Sequence, residues 1–474
     1  MNYVLMAPEI LTAGLGLLVL VFSLAWPRQS RKSVGALTMI GLGLILALVV
    51  ANFSRTQLFF DGVYQIDAFS NFFRILFLGA ALLILLMAGG YTEFFGQRRS
   101  EWFSFMVFAT LGMIIMVSSG DLLTLYIGLE LMTISFYILS AYLLNNSNSA
   151  EAGLKYLIMG ALSSAVLLFG MSLIYASSGS TVFTEIYGVL AARLSPQPVL
   201  LAGIVLMMAG LGFKISAVPF HMWAPDIYQG APTPVTAYLA VASKAAGFAA
   251  LVRIFMGALP LQQFNWSPTL AVLAALSIVI GNLIALAQKD VKRLLAYSSI
   301  AQAGYILVGL VAANHYGLQG VLFYALLYVF ANVGAFAVTT LVEVETGSTH
   351  LDAFSDLGRR APMLAAVMTV CLLSLAGIPP MAGFAGKFYL FSGAIQAGYL
   401  WLAFIGLLMS MVSVYYYLTV AKTMYVGVSE NPQLFEVPIP ARLALWICLL
   451  ATLLIGIYPG PLAQLASRAV NIFF

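Results

Sequence analysis

Charge is the scarcest feature of this 474-residue chain: Asp, Glu, Lys and Arg make up 8% of it. A soluble domain carries roughly 25%, so a water-soluble enzyme is excluded. The 62% hydrophobic content excludes disorder too, because disordered chains are polar and charged. Cysteine is almost missing. Cys371 and Cys448 lie in separate apolar runs and offer neither a disulfide framework nor a metal spacing. His221, His315 and His350 show no paired spacing for haem or zinc. There is no GxGxxG and no Walker-type phosphate loop. The expectation is a chain without a redox cofactor of its own that hydrolyses no nucleotide. Its energy would come from a gradient or from partner subunits. With 21 Lys+Arg against 17 Asp+Glu the net charge is +4, which is no nucleic-acid footprint, and no nucleic-acid partner is expected.

Long apolar runs are what the chain does have. A helix needs ~20 apolar residues to cross the hydrocarbon core. Runs of that length are read at 4–26, 34–53, 71–91, 102–118, 120–144, 154–177, 198–220, 233–256, 269–287, 295–313, 317–342, 362–396, 399–425 and 441–466. The expected fold class is therefore an all-α polytopic membrane protein with about 14 transmembrane helices. The twelfth run is too long for one straight crossing. Gly377, Pro379, Pro380, Gly383 and Gly386 interrupt it, so it reads as one broken helix. The first run lacks a basic flank and a small-residue cleavage site, and reads as a retained helix rather than a signal peptide.

An even number of spans puts both termini on one side. Arg28, Arg31, Lys32, Arg98, Arg99, Lys289, Lys292, Arg293, Arg359, Arg360, Lys422 and Arg442 then share the opposite side. Arg55, Arg74, Arg193, Arg253 and Arg468 fall on the terminus side. The positive-inside rule places the larger group in the cytoplasm and both termini outside. Lys155, Lys214, Lys244 and Lys387 fall inside spans.

A charge in mid-membrane is costly, faces the bundle interior or a wet cavity, and marks a functional site by default. Glu130 lies about ten residues into the fifth span, near the midplane at 1.5 Å per residue. Lys214 lies deep in the seventh span, Lys244 about ten residues into the eighth, and Lys387 in the broken twelfth. Desolvation disfavours an ammonium, so a buried lysine can release a proton near neutral pH; a nearby carboxylate holds the proton on. One carboxylate and three lysines over four spans therefore read as a switchable proton path. A static ion pair pinning helices together is the other reading. Lys155 sits only a few residues into the sixth span, where an interfacial anchor and a functional site are equally open.

Pro219 follows Lys214 by five residues, and Pro225, Gly230, Pro232 and Pro234 come after. This is a second break, in the seventh span. Unwound backbone at membrane depth survives only inside protein or beside a water-filled cavity, and transporters build midplane sites from such helices. The breaks are five spans apart. Spans 4–8 and 9–13 then read as two inverted five-helix repeats, with broken helices 7 and 12. The expected units are 1–101 (helices 1–3), 102–256 and 257–425 (the repeats) and 426–474 (helix 14). The internal match is weak: the lysine precedes one break and follows the other. His221, two turns past Lys214, reads as a proton relay or as a structural histidine. Asp226 reads as a loop pin, and His315 and His350 as loop residues. Tyr297, Ser298, Ser299 and Gln302 read as a polar patch able to hold water. Lys289, Asp290, Lys292 and Arg293 read as a solvated loop, and the many Phe and Tyr as lipid-facing or packing residues.

Three stretches carry a family resemblance: KISAVPFHMWAPDIYQGAPTPVTAYLAVASKAA (214–246), AYSSIAQAGYILVGL (296–310) and SLAGIPPMAGFAGKF (374–388). They resemble the N-type antiporter-like subunits of proton-translocating NADH:quinone oxidoreductase, respiratory complex I. The resemblance covers essentially the whole chain. It implies fourteen helices in two inverted repeats. It implies proton-translocating roles for Glu130, Lys214, Lys244 and Lys387, which match the family's charged positions on helices five, seven, eight and twelve. The L-type sibling carries a long C-terminal lateral helix, whereas the sequence here runs about eight residues past its last span, and the M-type has glutamate where Lys387 stands. The resemblance also implies partners: other membrane subunits of complex I, a peripheral redox arm, and the lipid bilayer. FMN, iron–sulfur clusters and quinone belong to those partners. The expected activity is H⁺ translocation driven by their quinone reduction; the alternative is a Na⁺ or K⁺/H⁺ antiporter subunit. The expected location is the bacterial inner membrane, with both termini periplasmic.

Overall fold

The computed structural model describes residues 3–25, 32–192, 197–428 and 435–474. Arg28, Arg31 and Arg193, used above to orient the chain, lie outside the described residues. The chain is an all-α polytopic membrane protein. Its helices are α1 (Ala7–Ala25), α2 (Lys32–Ala51), α3 (Ala68–Met87), α4 (Arg99–Ser118), α5 (Leu122–Ser140), α6 (Ser147–Ser178), α7 (Phe183–Ala191), α8 (Pro198–Lys214), α9 (Trp223–Gly230) and α10 (Thr233–Tyr238). Then come α11 (Lys244–Val252), α12 (Gln263–Ala285), α13 (Val291–Ala312), α14 (His315–Thr346), α15 (Leu357–Arg360), α16 (Pro362–Ala376), α17 (Ala382–Gln396), α18 (Leu400–Val426), α19 (Ile439–Ile457) and α20 (Gly460–Val470). A short hairpin, β1 (Gln57–Phe59) against β2 (Tyr64–Ile66), joins α2 to α3.

Among the described residues, twelve helices are long and apolar enough to cross a membrane. α8 and α16 are apolar but shorter, 17 and 15 residues. They are the first halves of the two interrupted spans expected from sequence, and α9 and α17 follow the breaks. Burial sorts the bundle. The most apolar stretches of Thr233–Ala258 and of α13 are 100% and 94% buried inside the protein, against 33% for α1 and α2. The centre is therefore built from α10, α11, α13 and α14, and the outer helices offer their apolar faces to lipid.

Two sets of contacts repeat along the chain. Asp121 and Asp290 cap α5 and α13, each side chain accepting from backbone amides of the first turn. Beside the first cap, Leu122 donates to the Thr181 carbonyl at 3.0 Å, and Phe183 to Gly120 at 2.9 Å. Beside the second, Val291 donates to Thr349 at 2.9 Å, and Leu351 to Lys289 at 2.8 Å. α6 and α14 are both 32 residues long, and each ends at a left-handed glycine, Gly179 (φ 77°) and Gly347 (φ 69°). At 1.5 Å per residue each outruns a hydrocarbon core of ~30 Å. α4 crosses α5 and α12 crosses α13 through glycines. A Cβ on Gly112 would meet the Met132 amide at 2.4 Å, and one on Gly281 the Ala301 amide at 2.7 Å.

Three expectations need correction. Lys292 does not sit in a solvated loop: it is 2% exposed, and Asp290 beside it caps α13. Arg74 and Arg253 are not loop charges either. Both are buried, Arg74 against Glu9 and Arg253 against Asp67 at 2.7 Å. A buried charge persists only with a partner, and one sequence window does not show which distant acid folds back. Finally, many tyrosines are neither lipid-facing nor simple packing. Tyr305, Tyr324, Tyr416 and Tyr417 are buried and hydrogen-bonded.

Candidate functional site

The first break follows Lys214, the last residue of α8. Pro219 and the turn around it free backbone groups, which other helices then satisfy. The Val218 amide donates to Ser277 on α12 at 2.9 Å, and the Trp223 indole to the Phe213 carbonyl at 2.8 Å. Lys214 is 1% exposed, and its ammonium donates to the Thr133 hydroxyl on α5 at 3.0 Å. Glu130, one turn before Thr133, lies within electrostatic reach of Lys214. One of its carboxylate oxygens is buried without a hydrogen-bond partner.

Lys244 opens α11 directly after a π turn, Leu239–Ser243, and a second π turn, Arg253–Ala258, ends that span. Such bulges widen a helix locally and frequent functional sites. The ammonium donates to the Ser299 hydroxyl at 2.5 Å and to its carbonyl at 3.1 Å. Its neighbours Tyr228 and Tyr328 turn buried hydroxyls toward the same Ser299. His221 is buried in the break, within electrostatic reach of Lys244, and its Nδ1 has no partner.

The second break is held in the same manner. Ser374 accepts from the Gly383 amide at 3.0 Å, and Ser410 donates to the Ala376 carbonyl at 2.8 Å. Lys387 reaches back across the break. Its ammonium donates to the carbonyls of Leu375 (3.1 Å) and Ala376 (3.0 Å) and to the Ser410 hydroxyl (2.6 Å), and it lies 4.4 Å from the Tyr305 ring centroid. The first two acceptors end α16, so this lysine also sits at a helix C-terminus.

Between Lys244 and Lys387 two runs of hydrogen bonds meet at Ser299 and Ser298, adjacent residues of α13. Ser298, beside Ser299, bonds Tyr417. The Gln302 amide nitrogen bonds Tyr417 at 3.3 Å and the Leu375 carbonyl at 2.9 Å, and Leu375 is shared with Lys387. Gln302 also accepts from Tyr324 at 2.5 Å. Beyond Lys387, Tyr305 accepts from Asn282 at 3.1 Å, and Asn282 accepts from Tyr416 at 3.0 Å. The structure thus brings Glu130 to Lys214, His221 to Lys244, and Lys244 to Lys387. It leaves Lys155 apart. That side chain is 41% exposed and pairs with Glu151 at 2.8 Å and Asp226 at 2.9 Å. Asp226, expected in a loop, lies instead in the first turn of α9, which it pins to Arg293 at 2.8 Å.

Sequence reasoning missed Thr133, Tyr324, Tyr417, Asn282 and Ser410. Hydroxyls and amides inside apolar helices are common and look innocuous. Helical spacing held a signal: Thr133 stands one turn from Glu130, and Ser299 and Gln302 one turn from each other. Among the described residues, no group of three or more His, Cys, Asp or Glu could hold a metal ion.

Comparisons with known proteins follow the same lines. The family model "NADH:quinone oxidoreductase/Mrp antiporter, TM" matches residues 119–413. NADH-quinone oxidoreductase subunit N of Moorella thermoacetica is 50% identical over 474 residues, covering 100% of this chain and 99% of the relative. That of Desulforamulus reducens is 49% identical over 472 residues, covering 100% and 99%. Among solved structures, a chain of respiratory complex I from Thermus thermophilus is 34% identical, with a TM-score of 0.82 and coverage of 97% and 99%. A chain of the Mrp complex from Dietzia shares the fold, with a TM-score of 0.90 at 21% identity and coverage of 100% and 98%.

Proposed function

The chain belongs to the subunit N family of NADH-quinone oxidoreductases, and from that premise we propose how its residues move protons. As an antiporter-like membrane subunit of complex I, it translocates H⁺ across the membrane. Glu130 and Lys214 form the switch. The carboxylate favours the ammonium while the two are close, and their separation lets the proton leave. His221 relays between the first break and Lys244. Lys244 passes protons toward Lys387 past Ser299, Ser298 and Tyr417, and Gln302 orients Tyr417 and the Leu375 carbonyl that Lys387 shares. Lys155 tunes the surface beside the first break through Asp226. The observation that carries the reading is the pair of buried hydrogen-bond runs, Lys244 to Ser299 and Ser298 to Lys387, which meet at adjacent residues of α13.

The two repeats are residues 102–256 and 257–425, flanked by 1–101 and 426–474. The recurrence of Asp121 and Asp290 at matching caps, and of Gly112 and Gly281 at matching crossings, supports that division. Five spans separate the matching caps, which makes the second copy inverted. The protein is a multi-pass membrane protein of the bacterial inner membrane. Its basic loops face the cytoplasm and its termini the periplasm. Redox chemistry lies with partner subunits holding FMN, iron–sulfur clusters and quinone; this chain supplies proton carriers only.

The test is reconstitution of the complex with its partners in vesicles. NADH oxidation should acidify the lumen without Na⁺. Lys214→Ala should lower both acidification and coupled quinone reduction while the complex still assembles. Normal pumping by that variant would end the proposal, and a strict Na⁺ requirement would move it to cation/proton exchange.

A further inference from the structure

The bundle holds another buried charge pair, one that the path above does not use. Lys292 stands in the first turn of α13, and its side chain is 3% exposed. Its ammonium donates to the Ala231 carbonyl at 2.8 Å and faces the Glu343 carboxylate at 3.8 Å. Glu343, near the end of α14, also accepts from the Thr233 hydroxyl. The Glu343 side chain is 22% exposed because it helps wall an open groove of about 650 Å³. Tyr91, Phe94, Arg98, Tyr142 and Leu144 form much of the rest of that wall. A carboxylate thus has solvent on one side and a buried ammonium on the other. The groove lies on the face opposite the termini, which the proposed orientation puts in the cytoplasm.

From Glu343 a polar line runs inward along α14. Thr339, Asn332, Tyr328 and Tyr324 follow one another at one or two helical turns, on one face, and all are buried. The Asn332 amide nitrogen has no hydrogen-bond partner, and the Tyr328 hydroxyl faces Ser299. Buried polar groups are nearly always paired, and leaving one unpaired is costly. An orphan on this stripe points to a transient partner rather than to packing. Tyr328 borders a cavity of about 10 Å³ together with Lys244 and Ser299, at the lower limit for one water. Tyr324 reaches Gln302 at 2.5 Å. α13 makes the same connection: Ser299, which holds Lys244, lies two turns beyond Lys292 on the same face.

We propose that Glu343 and Lys292 form a proton-loading station that takes protons from the groove and feeds Lys244 along the polar stripe of α14. This rests on the reading of Lys244 as a proton carrier. The Lys292 ammonium gives its proton inward, and the protonated Glu343 carboxyl recharges the neutral amine. The carboxylate then takes the next proton from solvent in the groove, so one proton arrives for each that leaves. Glu343 faces Lys292 from α13, and Tyr91 and Arg98 from the turns before α4.

The experiment uses the whole complex in vesicles, with assembly checked on native gels. Glu343→Gln should slow NADH-driven lumen acidification by about a hundredfold, the low side of what a positioned proton-transfer group supplies. The defect should deepen as the pH on the groove side rises, a trend that a merely structural salt bridge would not produce. Glu343→Asp, which keeps the carboxyl, should restore most of the rate. Leu144→Cys, labelled in the assembled complex with a bulky maleimide, should lose pumping relative to its own unlabelled state, with the labelled parent complex as control. Should Glu343→Gln fail to assemble, the labelled cysteine variant decides. If labelling changes nothing, or an assembled Glu343→Gln complex pumps like the parent at every pH, the loading station is refuted. If the Glu343 variants are impaired but Lys214→Ala pumps normally, the failure lies instead in the Glu130–Lys214 switch.

Discussion

Gln302 offers the sharpest test of the buried path, because removing it should separate conduction from stability. Its side chain makes three hydrogen bonds, to Leu375, Tyr417 and Tyr324. In Gln302→Leu the Leu375 carbonyl keeps Lys387, and Tyr417 keeps Ser298. Only the Tyr324 hydroxyl loses its partner here. An orphaned buried hydroxyl costs about 1–3 kcal/mol. Interhelical side-chain bonds in membranes average ~0.6 kcal/mol each, so the low end applies. A bundle with this much buried apolar surface should absorb that and assemble. Conduction is another matter, because leucine can bond neither Tyr417 nor the Leu375 carbonyl, and the group that holds those two in line is lost. Reconstituted complexes carrying Gln302→Leu should therefore oxidise NADH with strongly reduced lumen acidification and coupled quinone reduction. Tyr324→Phe removes one hydroxyl and leaves the other two Gln302 bonds, so it should pump within about twofold of the parent, in line with the modest net worth of one such bond. An assembled Gln302→Leu complex that pumps at the parental rate would refute the path.

Glu130→Gln keeps the shape and removes the charge, so it should abolish coupled pumping. Glu130→Asp shortens the side chain by one methylene, and its residual rate, read in the same assay, separates the need for charge from the need for placement. Ser410→Ala removes one of three acceptors of the Lys387 ammonium and leaves two carbonyls; a drop of only a few-fold is expected, about one hydrogen bond's worth, and complete silence would contradict that grading. Asp226→Asn should loosen α9, read by hydrogen exchange of 223–230. For Asp226, burial pushes the carboxyl up, but hydrogen bonds from Lys155 and Arg293 outweigh it and hold the group below the usual carboxylate range. Its stabilisation is then complete above that range and is lost as pH falls through the lowered folded value. Because the side chain is 39% exposed, the effect should be about 1 kcal/mol or less. Equal exchange in parent and variant at neutral pH would rule the clamp out.

What sequence could and could not tell follows from what each signal measures. Hydropathy reports a crossing wherever an apolar run exceeds the membrane's demand, and most spans were legible on that basis. It reports a break only where Pro and Gly accumulate, as around Pro219 and Pro379. Buried charge was legible where an apolar run surrounded it, as with Glu130, Lys214, Lys244 and Lys387. It was hidden at Lys292, which stands among charged neighbours before a span, and at Arg74 and Arg253, which stand near span ends among apolar ones. There a one-dimensional window shows no acid in reach, while the third dimension supplies Glu343, Glu9 and Asp67. The hydroxyls and amides of the path were illegible for a different reason. Ser298, Gln302 and Tyr417 gain meaning only through one another, across helices far apart in sequence.

The two breaks solve one problem with opposite chain order. Lys214 precedes its break and Lys387 follows, yet both lie at the C-terminal end of a first half-helix, where unpaired carbonyls carry roughly half a negative charge. A desolvated ammonium is tolerable there without a full counter-charge. The partners then differ in kind. Lys387 is held by neutral carbonyls and a hydroxyl, whose charge does not change. Lys214 has a single hydroxyl and the nearby Glu130, with its unpartnered oxygen. Only the second arrangement can alter the local field by gaining, losing or moving a charge. A pump needs at least one carrier whose hold on the proton changes during the cycle, and a fixed carrier can do no more than relay. The environments therefore assign the switching step to the first break and the relay to the second, which is why substitutions at Glu130 should act all-or-none and substitutions around Lys387 should act by degrees.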